Sequence, residues 1–344
     1  MGVQISNILP KKEIALEDLA NKRIAVDSFN TIFQFLSVIR DKDTGQPLRD
    51  SKGRITSHLS GLFYRTLKWS ETGIKPIFVF DGEYPKFKRN TVKEREEKRE
   101  ESLRKWTEAV EEGRKEDIMT YAQASSRLTS EIIDESKKLL DCLGVPWIQA
   151  PSEGEAQASF LVKNGEAYAV GSQDTDSLLF GSERLIRNLS ITGKRKLPRQ
   201  EKWIEVKPLL FDLQLILSEL NITKEQLIIL GMLVGTDYSP EGVKGIGPKN
   251  ALKLVTEHKD LDKILNHVEW TSKTNPHEIY DFFISPPTSK DYKIEWKDPN
   301  KESVVKLMSD EHDFSEERIS KSLDKLMEIK KAGAQTGLSN WFKK

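Results

Sequence analysis

Apolar residues in the first half of the chain fall into short continuous runs separated by longer amphipathic stretches. Three runs stand out: Arg23-Ile24-Ala25-Val26-Asp27, Pro76-Ile77-Phe78-Val79-Phe80-Asp81 and Ala167-Tyr168-Ala169-Val170-Gly171. A fourth, weaker run is Val145-Pro146-Trp147-Ile148. Runs of this kind suit strands of a parallel sheet covered on both faces. Between the first two lies Ser57 to Thr72, with Leu59, Leu62, Phe63, Thr66 and Leu67 at helical spacing. Alternating strand and helix predicts an α/β fold with a central, mostly parallel sheet.

The pattern changes at residues 86–138. Lys93-Glu94-Arg95-Glu96-Glu97-Lys98-Arg99-Glu100-Glu101 is dense in both signs of charge and short of apolar anchors. It reads as a solvated helix laced with i,i+4 ion pairs. Because it follows closely on Asp81 at a strand end, it also reads as an exposed excursion overhanging a site. Thr192-Gly193-Lys194-Arg195-Lys196-Leu197-Pro198-Arg199 carries Gly and Pro and reads as a loop, either solvated or in contact with phosphate. From Leu209 onward the pattern is mostly helical, with Asn275 to Pro299, which includes Pro286-Pro287, read as irregular.

Composition narrows the class. The 344 residues hold 54 Lys plus Arg and 54 Asp plus Glu, a balance that neither supports nor excludes nucleic acid. The single cysteine, Cys142, rules out an intrachain disulfide and a Cys-rich zinc site, and makes an intracellular, cytoplasmic home the default. No apolar run approaches the roughly 20 residues of a membrane span. Lys11, Lys12, Glu13, Glu17 and Asp18 interrupt the N-terminal region, so there is no signal-peptide pattern. Met1-Gly2-Val3-Gln4-Ile5-Ser6 fits the loose myristoylation pattern, against which a buried or functional N-terminus is the preferred reading.

The placement of acids is the most informative feature. Asp27 and Asp81 each end an apolar run, and Asp174 and Asp176 follow the third run closely. Ligands of open parallel sheets bind beyond the carboxyl ends of the strands, so these four side chains are expected to converge. Glu153 and Glu155 lie just past the fourth run. There, a Ser152–Glu155 capping box is an equal alternative to a functional role. Asp237 follows the apolar helix Leu227 to Val234, whose C-terminal dipole disfavours an acid and so points to a nearby cation. Together Asp27, Asp81, Glu153, Glu155, Asp174, Asp176 and Asp237 place seven carboxylates around one cleft. Mutual repulsion and desolvation would raise several pKa values unless hard cations intervene. All-oxygen ligation selects Mg²⁺ or Mn²⁺, and two such ions sharing acids suit hydrolysis of a phosphodiester by an activated water.

Gly242-Val243-Lys244-Gly245-Ile246-Gly247-Pro248-Lys249-Asn250-Ala251 reads as a turn between helices. Gly245 and Gly247 permit close backbone approach, and Pro248 suits a first helical turn. With Lys244 and Lys249 alongside, it is a candidate sequence-independent contact to a DNA backbone; a plain interhelical turn is the alternative. In Gln335-Thr336-Gly337-Leu338-Ser339-Asn340-Trp341-Phe342, the residues Leu338, Trp341 and Phe342 would form one apolar plug on a helical turn.

Taken with Gly235-Thr236-Asp237-Tyr238 and Gly245-Ile246-Gly247-Pro248-Lys249, the acidic segments resemble, in order and over nearly the whole chain, the flap endonucleases of the structure-specific 5′-nuclease family. The resemblance implies a PIN-like α/β fold with a helical arch and a helix–two-turn–helix motif. It implies a first ion on Asp27, Asp81, Glu153 and Glu155, and a second on Asp174, Asp176 and Asp237, with Glu155 open to sharing. Lys88 and Arg95 match basic residues that steer the scissile phosphate. Arg40, Arg65, Glu153, Gly235, Asp237, Lys244, Gly245, Gly247 and Lys249 match family DNA contacts, and the Gly-Ile-Gly-Pro-Lys turn typically holds K⁺.

The implied organisation is a nuclease core over 1–330, with an N-terminal region 1–100, an arch over about 84–137 and an intermediate region 115–256 that includes the hairpin motif 241–256. A flexible tail, 331–344, would follow. Within it, Gln335, Leu338, Trp341 and Phe342 resemble a sliding-clamp interaction box. The implied enzyme is a monomer when free, acting on 5′ flaps and as a 5′-3′ exonuclease in DNA replication and repair, leaving a ligatable nick. The chain stops two residues after Phe342, without the long basic tail of eukaryotic relatives, which points to an archaeal-type origin. Phe33 stands where relatives often have Tyr, and Ile5-Ser6 departs from the usual N-terminal motif. The competing readings are a catalytically silent DNA-junction scaffold, which has no need of seven clustered acids, and a related nuclease acting on bubbles or four-way junctions.

Overall fold

The structure, a computed structural model, describes residues 2–41, 44–191, 193–196 and 203–341. Its strands are β1 (Lys12–Glu13), β2 (Arg23–Asp27), β3 (Lys75–Phe80), β4 (Trp147–Gln149), β5 (Ala169–Gly171), β6 (Arg184–Arg187), β7 (Gly193–Lys196), β8 (Trp203–Val206) and β9 (Leu209–Asp212). The first helices are α1 (Ser28–Val38), α2 (Ser57–Glu71), α3 (Arg89–Glu111), α4 (Lys115–Ala124), α5 (Ser130–Leu143), α6 (Gly154–Lys163) and α7 (Asp176–Leu179). After them come α8 (Leu213–Leu220), α9 (Lys224–Val234), α10 (Pro248–His258), α11 (Leu261–Leu265), α12 (Pro276–Ile284), α13 (Lys301–Val305) and α14 (Glu316–Trp341).

Among the described residues, one seven-stranded sheet runs in the order β1-β9-β6-β5-β2-β3-β4. The pairs β2–β3, β2–β5, β3–β4 and β5–β6 are parallel, while β9 and β1 close one edge antiparallel. The continuous apolar runs have the expected cause. Ala25, Ile77, Val79, Val170 and Leu185 join a core that includes residues of α6 and α9. Their neighbours Ile24, Val26, Phe78, Phe80, Ala169 and Ile186 join the opposite core, with residues of α1, α2, α5 and α14. Burying each of the Ile, Val, Leu and Phe side chains among them contributes about 1.5–3 kcal/mol.

Three segments differ from the sequence reading. Gly193–Lys196 is a strand, not a loop: it pairs antiparallel with Trp203–Val206, and that ladder outweighs the local Gly signal. Thr192 and Leu197 to Arg199 lie outside the described residues. Leu209–Asp212 is the strand β9 ahead of the helical region. Within the segment read as irregular, Pro276–Ile284 is a helix: Pro276 occupies its first turn and the Asn275 side chain accepts from the His277 N–H, so the proline marks a start and not a break.

The charged stretch is helix α3, with i,i+4 pairs Lys93–Glu97 at 3.9 Å and Glu101–Lys105 at 2.6 Å. It packs on α4, and Ala109, Ile118 and Ala122 are among the few buried residues there. Val3 and Ile5 are buried in the core, so the N-terminal segment is folded into the body of the protein. The backbone of Lys331 to Trp341 continues α14, in line with the helix propensity of its Lys and Ala residues; Phe342 lies outside the described residues. No helix among the described residues is long and apolar enough to cross a membrane.

Candidate active site

The seven acids meet beyond the carboxyl ends of the parallel strands. Asp27 ends β2 and caps α1: its Oδ1 accepts from the Asn30 N–H at 3.0 Å, and its Oδ2 lies 3.1 Å from the Ser172 hydroxyl. Asp81 follows β3 and accepts from the Gly154 N–H at 2.5 Å. A Cβ on Gly154 would sit 2.6 Å from that same carboxylate oxygen, which explains the glycine. Glu153 stands at the N-cap of α6 with no side-chain capping bond, so the Ser152–Glu155 capping box does not form. Its Oε2 meets Lys88 at 2.6 Å, whereas its Oε1 is buried without a partner. Glu155 lies two residues on, in the first turn of α6, and faces the Ser172 hydroxyl at 3.2 Å.

The second group of acids is held by the chain's own beginning. The Gly2 N–H donates to Asp174 Oδ1 at 2.8 Å and the Val3 N–H to Asp176 Oδ1 at 2.6 Å. A Cβ on Gly2 would lie 2.6 Å from both Asp174 Cβ and Asp176 Oδ1. Asp237 lies past the C-terminus of α9, where Arg95 pairs with it directly and Lys88 approaches at 3.5 Å. The cation expected beside this acid is therefore present as two basic side chains.

Electrostatics follow from crowding. Burial, with Asp174 adding to it, raises Asp27 to about 6. Burial and Asp27 raise Asp81 to about 6. Glu153 rises to about 7, mainly through burial, against the pull of Lys88. Asp176 rises to about 8 through burial, Asp237 and Asp174. Burial and Asp176 push Glu155 well above the ordinary range. Asp237 goes the other way: burial pushes it up, but Lys88 and Arg95 outweigh that and hold it low. Burial lowers Lys88, but Glu153, Asp237 and Asp81 together raise it. Among the described residues no three of these acids stand close enough to form a ready-made metal cage; their raised values and the orphaned Glu153 oxygen are what hard divalent ions would neutralise and ligate once bound.

Other sequence candidates are spread more widely. The Arg40 guanidinium is engaged internally, donating to the Leu36 and Gly45 carbonyls and, at 2.6 Å, to Ser126 Oγ; burial lowers its pKa to about 10. Arg65 lines a groove of about 590 Å³ between α1 and α2 with Tyr64, Lys68 and Ser190. Lys244, Gly245, Gly247 and Lys249 are exposed where α10 begins, and Gly247 is its N-cap. Gly235 adopts φ 118°, a conformation that favours glycine. The Phe33 ring lies 5.5 Å from the Arg99 guanidinium, so a stacking surface persists without the tyrosine hydroxyl. Asn30 and Ser172 escaped sequence reasoning, and Gly2 and Val3 were read only as part of a buried or functional N-terminus, with no tie to Asp174 and Asp176. The nearest signals were the glycine at position 2 and polar residues beside Asp27 and Asp174.

Residues 1–102 match the XPG N-terminal domain, and residues 144–237 match the XPG I-region. A flap endonuclease 1 of Pyrococcus furiosus is 52% identical over 344 residues, covering 100% of both chains. The chain belongs to the flap endonuclease family. The flap endonuclease 1 of Pyrococcus abyssi is likewise 52% identical, over 99% of this chain and 98% of its own. The solved flap endonuclease-1 of Methanococcus jannaschii superposes with a TM-score of 0.75 at 40% identity, covering 95% of this chain and 98% of that one. The catalytic core of Rad2 in complex with DNA substrate gives 0.72 at 25% identity, covering 95% and 100%. Flap endonucleases are phosphodiester hydrolases, and the fold is the mixed α/β nuclease fold of this family. Asp27, Asp81, Lys88 and Arg95 come from the first matched region and Glu153, Glu155, Asp174, Asp176 and Asp237 from the second, so the cleft lies where the two regions meet.

Proposed function

We propose that this flap endonuclease cuts DNA at the junction of a duplex and a 5′ single strand, using two Mg²⁺ ions for which Mn²⁺ can substitute. The observation that carries this reading is the buried acid cleft, with raised carboxylates, an orphaned Glu153 oxygen, and Lys88 and Arg95 among the acids. Asp27, Asp81, Glu153 and Glu155 would hold one ion and Asp174, Asp176 and Asp237 the other. When bound, the ions supply Lewis-acid stabilisation of the phosphodiester and an activated water. The bare acids repel a phosphate; Lys88 and Arg95 give it two cations to meet, and they orient it over the cleft.

Binding of the duplex is assigned to the exposed hairpin, where Lys244, Lys249 and the backbone of Gly245 and Gly247 contact phosphates without reading bases. K⁺ held by carbonyls of that turn would strengthen the contact. Arg65 in its groove, the backbone around Gly235, and the α3–α4 arch over residues 84–137 complete the path for DNA. Arg40 braces that path through its carbonyl partners. The organisation into a core over 1–330 and a tail over 331–344 leaves Gln335, Leu338, Trp341 and Phe342 to bind a sliding clamp. On this reading the enzyme is a cytoplasmic monomer when free, with 5′-3′ exonuclease activity, working in replication and repair and leaving a nick for ligation.

The test is cleavage mapping on an end-labelled double-flap substrate with and without Mg²⁺. A single Mg²⁺-dependent cut at the junction is expected. Equal cutting of blunt duplex and single strand, or metal-independent cutting, would overturn the reading. Deleting residues 335–342 should spare basal cleavage and remove stimulation by a clamp; stimulation that survives refutes the tail assignment.

A further inference from the structure

We propose that Asn30 is a positioning residue that joins the two ligand sets of the cleft and sets the affinity of the Asp174 side for a divalent ion. The proposal rests on the metal reading above. Asn30 reaches one acid from each set. Its backbone N–H donates to Asp27 Oδ1 at 3.0 Å, and its side-chain Nδ2 donates to Asp174 Oδ2 at 3.0 Å. The amide orientation is fixed by a third contact, since the Gln173 N–H donates to Asn30 Oδ1 at 3.4 Å and requires an acceptor there.

Asp174 is thus gripped on both oxygens, by Asn30 on one and by the Gly2 N–H on the other at 2.8 Å. Each carboxylate oxygen keeps a further lone pair for a metal. Hydrogen bonds of this kind fix the direction of a ligating group, and their loss typically weakens metal affinity by about 10–100-fold. The two contacts of Asn30 differ in a way that makes the idea testable. The bond to Asp27 comes from the backbone and survives any side-chain change; the bond to Asp174 does not. Removing the side chain should therefore separate the two ions.

Metal-stripped wild type and Asn30→Leu are titrated with Mn²⁺, and the free ion is followed by electron paramagnetic resonance. Wild type is expected to bind two ions. Asn30→Leu should keep one site within about 2-fold and weaken the other by about 10-fold or more. Its flap affinity in Ca²⁺ should be unchanged, and raised Mn²⁺ should restore its single-turnover cleavage. If Asn30→Leu does not fold, Asn30→Ala, a good helix former at that position of α1, carries the same test. Unchanged affinity at both sites, equal weakening of both, or a cleavage loss that saturating Mn²⁺ does not restore would each overturn the proposal. A wild type that binds fewer than two ions would sink the metal reading itself, before any variant is measured.

Discussion

Asp27, Glu153 and Asp176 in the cleft, and Asp50, His58 and His312 between α2, α5 and the chain after α13, are all buried, yet they keep different company. The second group alternates acid and base. His312 Nδ1 lies 3.1 Å from Asp50 Oδ2 and its Nε2 lies 3.4 Å from Glu135 Oε1, while His58 Nε2 lies 3.0 Å from Glu135 Oε2. Arg54 closes the chain on Asp50 at 2.7 Å. Burial lowers the pKa of His58, and Glu135 opposes that effect. Each acid there faces a basic or neutral partner, so the group ties four segments together, although His58 Nδ1 is buried without a hydrogen-bond partner. The cleft instead crowds acids against acids, with Lys88 and Arg95 as the basic side chains paired with Glu153 and Asp237. Such an arrangement costs folding energy that a structural role does not require, and on the proposed reading ions that arrive from solution would offset it.

This contrast can be broken most forcefully at Asp176. Asp176→Asn should lower the single-turnover cleavage rate by about 1,000-fold or more, leave flap binding in Ca²⁺ largely intact, and raise the Tm of the metal-free protein. Asp50→Asn should do the opposite, lowering Tm without changing the cleavage rate at saturating substrate. Normal turnover by Asp176→Asn, or loss of turnover by a well-folded Asp50→Asn, would erase the distinction. On the proposed mechanism Lys88→Ala is expected to slow cleavage by roughly 100-fold in the same assay, because it would remove a cation that meets the phosphate. A change below 3-fold would reduce Lys88 to a counter-ion for Glu153. Replacing both Lys244 and Lys249 with Ala should weaken DNA binding by roughly 10-fold regardless of sequence, with a salt dependence shallower by about 2. Sequence-selective weakening would contradict a backbone contact.

The smallest effect is on stability against pH. Asp27, Asp81, Glu153 and Asp176 have folded pKa values raised to between about 6 and 8 from the ordinary carboxylate range near 4. Between those limits the folded metal-free protein holds more protons than the unfolded chain. Stability is therefore greatest at the acid end of this window and is lost as pH rises through the folded values. Differential scanning calorimetry of metal-free protein should show Tm falling by roughly 5 °C or more from pH 5 to 8. Saturating Mg²⁺ should flatten that slope; a metal-free Tm that rises with pH would mean the acids are not crowded.

Much of this was legible because it is local or periodic. Ile24 to Asp27 and Ile77 to Asp81 are buried runs that end on an acid, and parallel pairing alone brings those acids together. Pro248 announced the start of α10. The remainder depends on contacts that leave no periodic trace. Gly2 reaches Asp174 across most of the chain's first half, and nothing in either segment's pattern encodes the other. Asn30 sits in the first turn of α1, and nothing in the sequence around it marks its side-chain contact with Asp174. Gly193 and the Pro286-Pro287 pair misled for a related reason: each punctuates local structure, but cross-strand pairing made Gly193–Lys196 a strand, and the Asn275 cap starts a helix at Pro276 ahead of the two prolines.

The most direct test of the account is anomalous diffraction from crystals soaked in Mn²⁺. Two peaks are predicted among Asp27, Asp81, Glu153, Glu155, Asp174, Asp176 and Asp237, within about 4 Å of each other. An empty cleft at saturating Mn²⁺, or ions bound only elsewhere on the surface, would contradict it.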